Sequence, residues 1–569
     1  MGQPPPPSRL QPIDATTLRA LVAELRAALV PSRFEKAQQP DGQTLQLALR
    51  HLGGVQWLEL SWLAEAPRLL AIPPPPRQGE GSTLASQVQH ALRGLALVAI
   101  RQQEWERVVS FDFAPRPGEA PRRQLVLELM GRHSNLFLLN AEGQVIALAR
   151  QVRPSQSRWR PIGTGDPYTA PPALRGEVPR SAEPRDRWQR RLLALPQPLA
   201  VALMDTYQGL SPALVRQLLE APPEGGDALP QDLPVGQLDP AQWEQLWSQW
   251  QAWLSAVEQE RFSLCWDPQG GYRCWGGSDG AVRSPLAIHA ALARASRAWL
   301  DSRHLERRRS ALRHRLEGLG ERERRQMGEQ EALLAAATDS DDLQRQADAL
   351  LCLPAPSKVQ IQEAQTLYKR ARKQRRSLAA IQPRLEAHRR RLAWLEEALV
   401  YGDQADQADQ LAALEEDLAR LEPRARHATR KATRQRSRGE SPADAPHPLE
   451  LRSPSGLCLQ VGRNHRQNEW ISLRQARRGD LWFHAQEVPG SHVVLKASAA
   501  AADEADMAAA ADLAAHFSRG RGNARVPVVM VPVEALQRLP GGGAGTVRHR
   551  GGQILWGQPD RARALLVAS

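Results

Sequence analysis

The sequence predicts a multidomain α+β protein with a long antiparallel coiled-coil arm. Three observations carry that reading. Leucines recur at heptad spacing from about Ala291 to Leu421, two prolines interrupt them once, and β-type alternation dominates the stretches on either side. On the outward helix Leu305, Leu312, Leu316 and Leu319 form the seam. On the return Leu378, Ile381, Leu385, Leu392, Leu395 and Leu399 form it, and Leu411, Leu414, Leu418 and Leu421 continue it. Leu353-Pro354-Ala355-Pro356-Ser357 is the expected turn, because each proline lacks an N–H and disfavours helix in the residue before it. An outward helix of roughly 60 residues would reach roughly 90 Å, so the arm is expected to connect globular parts.

The return helix is basic. Lys369 to Arg391 holds ten Lys or Arg residues against one acid, Glu386. The cluster Lys369, Arg370, Arg372, Lys373, Arg375, Arg376 is too dense for neighbouring acids to neutralise. It reads either as a solvated face or as a phosphate-binding rail driven by counterion release. The whole chain, 569 residues with a formal charge of +13, favours an anionic partner such as nucleic acid. Arginine supplies most of the charge, with only six lysines, and suits bidentate phosphate contact. No apolar run is long enough for a membrane span, and the proline-rich start lacks the apolar core of a signal peptide. Four cysteines without a C-x-x-C spacing argue against a zinc site or a disulfide framework and fit a reduced, cytoplasmic setting. No metal or cofactor is expected.

From Ile13 to Tyr168 the chain reads as α+β. Leu18, Leu21, Val22, Leu25 and Leu29 make a helical stripe. Strands are expected at Thr44 to Leu49, Val55 to Leu60, Arg68 to Ile72, Val108 to Phe113, Gln124 to Leu129, Asn135 to Leu139 and Val145 to Ala149. Leu84 to Leu92 reads as a helix, and Gly53-Gly54 and Ala141-Glu142-Gly143 as turns. Two polar sites interrupt these runs. Glu106-Arg107 precedes a strand and is either an ordinary strand-end ion pair or a placed functional pair. Gly131-Arg132-His133-Ser134-Asn135 is either a polar hairpin loop or a set of phosphate and base-edge donors. Ala173 to Glu260 is mostly helical, with Ser211 as cap and Pro212 in the first turn of one helix. Leu264 to Trp275 reads as a small hairpin with Gly270-Gly271 at its tip. A basic flexible linker, Arg424 to Pro448, follows the arm. The last module carries Asp480-Leu481-Trp482-Phe483-His484-Ala485 and then Gly490-Ser491-His492. Trp482 and Phe483 are either stacking surfaces for bases or a core pair, and His484 and His492 are candidate donors. A helix from Ala505 to Phe517 and strands at Val526 to Val533 and Gly545 to Val547 complete it.

Leu127-Glu128-Leu129-Met130 followed by Gly131 to Asn135 and Leu136 to Asn140 resembles the amino-terminal signature of the NFACT family. Arg33, Lys36 and Gln39 fit the family's early strand, and Gly209-Leu210-Ser211-Pro212 fits its helix-hairpin-helix segment. The string from Asp480 to His492 resembles its carboxy-terminal RNA-binding module, NFACT-R. The resemblance covers nearly the whole chain. It implies an NFACT-N α+β domain at 1–172, a helix-hairpin-helix domain with its small hairpin at 173–290, a coiled-coil arm at 291–422, a linker at 423–448 and an α+β NFACT-R domain at 449–569.

For the bacterial RqcH branch the resemblance implies a ribosome quality-control factor that is not an enzyme. Such a protein would bind the stalled large (50S) subunit and its rRNA while the subunit holds a peptidyl-tRNA nascent chain. It would recruit alanyl-tRNA for template-free alanine tailing, with a small RNA-binding helper of the heat-shock-protein-15 type as a further partner. The implied tRNA contacts are Asp14, Glu106, Arg107, Arg132, His133, Ser134 and Asn135, with Glu106-Arg107 standing where the family has Asp-Arg. The implied rRNA contacts are the Lys369 to Arg376 cluster and Asp480, Trp482, His484, Ser491 and His492. The segment between the arm's helices, Cys352 to Val359, is shorter than the family's. Other readings remain: a general tRNA or rRNA binder without tailing, a fibronectin-binding surface adhesin, and a DNA glycosylase. The glycosylase would need an amino-terminal proline nucleophile and a zinc finger, which the start Met1-Gly2-Gln3-Pro4 and the cysteine spacing do not offer.

Overall fold

Asp14 opens the first helix, α1 (Ala15–Leu29): its Oδ1 accepts the backbone N–H of Thr17 at 2.8 Å and satisfies one orphan donor of the first turn. The computed structural model describes residues 10–78, 81–221, 227–267, 271–276, 285–336, 340–421, 446–539 and 544–567. They fall into two units, Met1–Ser302 and Arg303–Ser569. The architecture is mixed α+β, with antiparallel sheets and long helices.

The first unit is built on a nine-stranded antiparallel sheet in the order β4-β3-β2-β1-β5-β6-β7-β8-β9. Its strands are β1 (Ser32–Asp41), β2 (Thr44–His51), β3 (Gly54–Ser61), β4 (Arg68–Ile72), β5 (Ala96–Gln102), β6 (Val108–Ala114), β7 (Arg123–Glu128), β8 (Asn135–Leu139) and β9 (Val145–Leu148). Leu18, Leu21, Leu25 and Leu29 on α1 are fully buried, as their spacing requires. A second helix, α2 (Thr83–Leu92), is capped by Ser82. Strand β5 is an addition to the sequence reading. Its run Ala-Leu-Val-Ala-Ile has no alternation, so no period marks it as strand. It joins the two meanders by pairing with β1 at Ser32↔Leu97 and Arg33↔Ala96.

Four helices follow: α3 (Arg185–Leu192), α4 (Leu199–Thr206), α5 (Pro212–Leu218) and α6 (Pro240–Glu258). Ser211 caps α5 with Pro212 in its first turn, as expected. Trp188, Tyr207, Trp250 and Trp253 from this stretch join one continuous core with the sheet's side chains and α1. Two short strands, β10 (Cys265–Trp266) and β11 (Tyr272–Arg273), form the small hairpin. Gly270 of its tip lies outside the described residues. The long helix α7 (Ala287–Ala336) starts in this core. His289 fastens it: Nδ1 accepts the Ala71 N–H of β4 at 2.9 Å, and Nε2 donates to the Leu21 carbonyl of α1 at 3.0 Å. The Nδ1 bond requires the neutral ring, and burial lowers its pKa to about 4.

In the second unit α7 continues beside α9 (Lys358–Gln404), with α8 (Ser340–Leu351) between them in sequence. The two-proline segment separates α8 from α9, and Ser357 caps α9 through a capping box. Ion pairs set an antiparallel course. Arg313 meets Asp403, Arg324 meets Glu396 at 3.4 Å, Glu323 meets Arg391 at 3.1 Å and His388 at 2.7 Å, and Glu331 meets Arg389 at 3.6 Å. Leu312 and Leu316 pack with Leu395, Ala398 and Tyr401. Helix α9 runs unbroken through Pro383, although proline there removes one backbone hydrogen bond.

One expectation is corrected. Leu411, Leu414, Leu418 and Leu421 do not continue α9. The chain leaves the helix at Ala405 (φ −65°, ψ 119°), and α10 (Ala408–Leu421) packs Leu411, Leu414 and Leu418 onto the same apolar cluster. Arg308 ties α10 down by a two-pronged pair to Glu415 at 3.0 and 2.6 Å. Residues 422–445, most of the expected linker, lie outside the described residues.

The last module is a six-stranded antiparallel sheet, β12-β13-β15-β14-β16-β19. Its strands are β12 (Leu449–Arg452), β13 (Cys458–Val461), β14 (Leu481–Ala485), β15 (Val493–Leu495), β16 (Val526–Pro532) and β19 (Gln553–Gly557). Two more strands, β17 (Leu536–Arg538) and β18 (Val547–His549), make a separate hairpin. Helix Glu504–His516 covers one face, over Phe483, Ala485 and Val528. On the opposite face Trp482, Val529 and Val531 pack with Ile471.

Because His289 is held neutral, the folded chain binds fewer protons than the unfolded chain below pH of about 6.5, and its contribution falls as pH drops towards about 4. The unfolding free-energy gap between wild type and His289→Gln in urea titrations should shrink from neutral pH to that lower limit, by about 2–3 kcal/mol.

Candidate nucleic-acid interface

In the first unit the fold gathers residues from distant parts of the chain at the ends of the interior strands β5 and β6. Asp14 is buried, and besides capping α1 it accepts Ser211 Oγ on Oδ2 at 2.7 Å. Ser211 Oγ in turn accepts the Leu214 N–H at 3.0 Å, so one carboxylate ties the starts of α1 and α5 together. Gln102 extends the group. Its Nε2 donates to the carbonyls of Ala15 at 3.1 Å and Glu106 at 2.9 Å, which sets Asp14-Ala15 beside Glu106. Trp105 is buried under the Arg19 guanidinium, 4.8 Å from its ring. Gly209 (φ +76°) closes on the same indole so tightly that a Cβ would lie 2.9 Å from Trp105 Cβ.

Glu106 and Arg107 are both half-buried. Burial raises the Glu106 carboxyl above its ordinary range, against a backbone hydrogen bond from Leu174 and the charge of Arg107. The two do not form a close ion pair, and Arg107 has no carboxylate partner within 4.0 Å among the described residues. Leu129 donates its N–H to the Arg107 carbonyl at 2.9 Å, which brings the Gly131–His133 turn alongside.

The signature loop divides into two parts. Arg132 and His133 are exposed and available to a ligand. Ser134 and Asn135 are buried and occupied, a correction to their expected role as ligand donors. Ser134 Oγ accepts the Met130 N–H at 2.8 Å. Asn135 Oδ1 accepts the N–H groups of Leu136 and Arg150, and its Nδ2 donates to the Arg150 carbonyl at 2.7 Å. They build the loop that presents Arg132 and His133.

On α9, Lys369, Arg370, Arg372, Lys373, Arg375 and Arg376 are all exposed. Arg375 alone has a carboxylate, Asp341 of α8 at 3.0 Å; among the described residues the other five have none within 4.0 Å. Lys369, Arg372, Lys373 and Arg376 line one shallow concavity at helical spacing. Four unpaired cations on one face suit a row of phosphates.

In the last module most of the residues expected to touch RNA are structural. Trp482 is buried and donates Nε1 to Ser472 Oγ at 3.1 Å, and Ser472 Oγ shares a hydrogen bond of 2.8 Å with His492 Nδ1. Burial holds the His492 ring neutral, with its pKa well below the usual value. Phe483 is buried on the opposite face, so neither aromatic is free to stack on a base. Asp480 is buried. Burial alone would raise its pKa, but hydrogen bonds from Ser498 and Arg477, with Lys496 at 3.3 Å, lower it. Ser491 is fully buried, and its Oγ has no hydrogen-bond partner among the described atoms. Trp482 and Phe483 lie on the central strand β14, where both sheet faces are covered, and Asp480, Ser491 and His492 lie in the turns directly beside β14 and β15 and are buried with them.

His484 is half-buried, with its ring stacked on Trp482 at 5.6 Å. Its row runs outward through Val529 to Ile554 on the edge strand β19. There Ile554 and Trp556 are 44% and 60% exposed, and Arg548, His549 and Arg550 on and beside β18 are exposed too. The sequence reading missed Trp556. Its signal was the short run Gln-Ile-Leu-Trp after Gly551-Gly552, a lone strand without turn partners on both sides. Among the described residues no cluster of His, Cys, Asp or Glu is placed to hold a metal, and no helix is long and apolar enough to cross a membrane.

Cations without carboxylate partners at several places on a multi-module α+β scaffold are the electrostatic footprint of a class, the multidomain proteins that bind a polyanion. Residues 14–355 match the NFACT N-terminal and middle domains and residues 449–550 match the NFACT protein RNA binding domain, so the chain belongs to the NFACT family. It is 25% identical over 576 residues to the Rqc2 homolog RqcH of Streptococcus pneumoniae serotype 2 (strain D39 / NCTC 7466), covering 96% of this chain and 98% of that one. To the Rqc2 homolog RqcH of Bacillus subtilis (strain 168) it is 23% identical over 589 residues, with the same coverage of 96% and 98%. The solved N-terminal part of the fibronectin/fibrinogen-binding protein from Streptococcus suis is similar at 20% identity and a TM-score of 0.38, over 49% of this chain and 98% of that one.

The double cap has a measurable consequence. Asp14→Ala should destabilise the first unit by about 1–2 kcal/mol, and Asp14→Asn, which can still accept the Thr17 N–H, by less than half of that. Urea unfolding of the two variants checks the order.

Proposed function

We propose that the chain is a ribosome-associated quality-control factor that binds the large (50S) subunit while it still carries peptidyl-tRNA. It recruits alanyl-tRNA and promotes template-independent addition of alanine to the nascent chain, marking it for degradation. The reading is supported by membership of the NFACT family and by relatives named RqcH along nearly the whole chain. One observation carries it: the face Lys369, Arg372, Lys373, Arg376 of α9 is bare of carboxylates, whereas further along α9 Arg389, Arg391, Glu396 and Asp403 are paired with α7. That is the distribution expected of a helix that docks on rRNA.

In this reading the paired helices form a coiled-coil arm, and the arm and the last module engage the subunit. The first unit holds tRNA through Asp14, Glu106, Arg107, Arg132 and His133. His484 and Ile554 of one row, with Trp556 two residues further along β19, supply an RNA-facing edge to the last module. Peptide bond formation belongs to the ribosome, so the chain delivers and positions tRNA rather than acting as an enzyme, and it uses no cofactor. A small RNA-binding helper of the heat-shock-protein-15 type would act beside it. Glu106, which stands where the family has aspartate and is held in a partly buried position, favours a second reading: an rRNA and tRNA binder without tailing activity.

Sequencing the RNA that copurifies with the tagged chain separates these readings. Large-subunit rRNA together with alanine tRNA, with only the tRNA lost in a Glu106→Ala/Arg107→Ala variant, is the expected outcome. Large-subunit rRNA without a selected tRNA would leave the second reading, and no rRNA would overturn both. Replacing Lys369, Arg372, Lys373 and Arg376 by glutamine should weaken subunit binding and lower the slope of log affinity against log salt by about 0.9 for each phosphate no longer neutralised.

A further inference from the structure

The loop that closes the first sheet bears a side chain that neither the family signature nor the expected RNA-binding residues include. Trp159 is 93% exposed, although every other tryptophan of the first unit except Trp266 is at least half-buried. It is not on a loose tether. Val152 and Ile162 close the base of the loop by two backbone hydrogen bonds, at 3.0 and 2.9 Å. Inside it the Arg153 carbonyl accepts the N–H groups of Gln156 and Ser157, and Ser157 Oγ accepts the Arg160 N–H at 3.1 Å. The next residue anchors the whole. Arg160 makes a two-pronged pair with buried Glu128 at 2.8 and 2.5 Å, and Tyr168 donates to the same carboxylate at 2.8 Å. Trp159 is thus held outward beside a fixed brace.

Its surroundings are cationic. Residues 147–165 contain four arginines and no acid. Arg160 is neutralised by Glu128, but Arg150, Arg153 and Arg158 are exposed and have no carboxylate within 4.0 Å among the described residues. Arg150 donates to the Arg132 carbonyl at 2.7 Å and so joins this loop to the Arg132-His133 turn. An indole open to solvent, on a loop that also carries three exposed guanidinium groups without carboxylates, matches a nucleotide: a flat base for the ring and phosphates for the arginines. Paired bases bury their faces in the stack, so the ligand that fits is unpaired.

We propose that Trp159, with Arg153 and Arg158, forms a stacking site for an unpaired nucleobase of RNA, adjoining the Arg132-His133 turn. The proposal rests on the reading of the first unit as the part that holds tRNA, and it names the segment held: a single-stranded one. A duplex stem is not the ligand of this site.

The test uses the full chain, a short unpaired RNA oligonucleotide, a duplex RNA of the same sequence, and bulk tRNA. Trp159→Ala should weaken the unpaired oligonucleotide about tenfold, Trp159→Phe should restore most of the loss, and duplex binding should not change. Arg153→Ala/Arg158→Ala should lower the salt slope for the oligonucleotide by about 1.4. Equal affinity of wild type and Trp159→Ala for the oligonucleotide would overturn the site, as would an equal loss on duplex. Arg107→Ala, measured on tRNA, tests the parent reading separately: loss there with no effect of Trp159→Ala retains tRNA binding and removes only the stacking site. Superimposable thermal unfolding of Trp159→Ala and wild type excludes misfolding, because the side chain packs against little.

Discussion

The Asp14 carboxylate is the contact on which the first unit turns. It accepts the N–H of Thr17 and the hydroxyl of Ser211, residues separated by most of the unit's length in sequence. A helix start buried without an acceptor leaves orphan N–H groups, and here one side chain serves α1 directly and orients the cap of α5. The consequences spread outward. α1 lies over the sheet with its leucine stripe buried, α5 brings Gly209 against Trp105, and Gln102 draws Glu106 to the same place. A residue that looks like a ligand contact in a family motif is at the same time the peg that holds the motif's other members near it. Any effect of its removal on function therefore has to be weighed against a loss of structure, which is why the asparagine variant is informative and the alanine variant alone is not.

Charge is handled in two ways along a single helix. Between His388 and Asp403, α9 meets Glu323, Arg324, Glu331 and Arg313 of α7, and the pairs set the antiparallel register. Each exposed pair is worth little by itself, but a like-charged mismatch would penalise a slipped register. Between Lys369 and Arg376 the pattern stops, and only Arg375 is answered, from α8. Five cations without carboxylates repel one another and lower the stability of the isolated helix. That standing cost is compatible with a surface whose partner is a polyanion.

The last module shows how most of a motif can serve the fold itself. Trp482, Ser472 and His492 form a buried chain of hydrogen bonds, with Asn468 carrying it on to Tyr401 of α9 at 2.8 Å and Tyr401 to the Gly490 carbonyl at 3.1 Å. His465 stacks on Trp394 of α9 at 4.5 Å. Such satisfied polar networks single out one arrangement of the core. They join α9 to the sheet, while at the rim His484 is half-buried and Ile554 and Trp556 are exposed.

The sequence by itself determined the class of nearly every element, since side-chain period is local: the α1 stripe, strands β2 to β4 and β6 to β9, the Ser211 cap and the two-proline turn all follow from neighbouring residues. It also carried the family, through strings of residues near the signature loop and in the last module. Strand β5 escaped because an unbroken apolar run has no period, and α10 escaped because a leucine repeat is the same whether a helix continues or folds back. What only the tertiary structure decided is which polar residues are free. Ser134, Asn135, Asp480, Ser491 and Trp482 are the right types for touching RNA, yet each is enclosed by covered strands or claimed by backbone donors. Arg132, His133, the α9 cations, Trp159 and Trp556 are left open. Availability depends on what packs above a residue and which partner reaches it first, and those partners come from distant positions that no local pattern records.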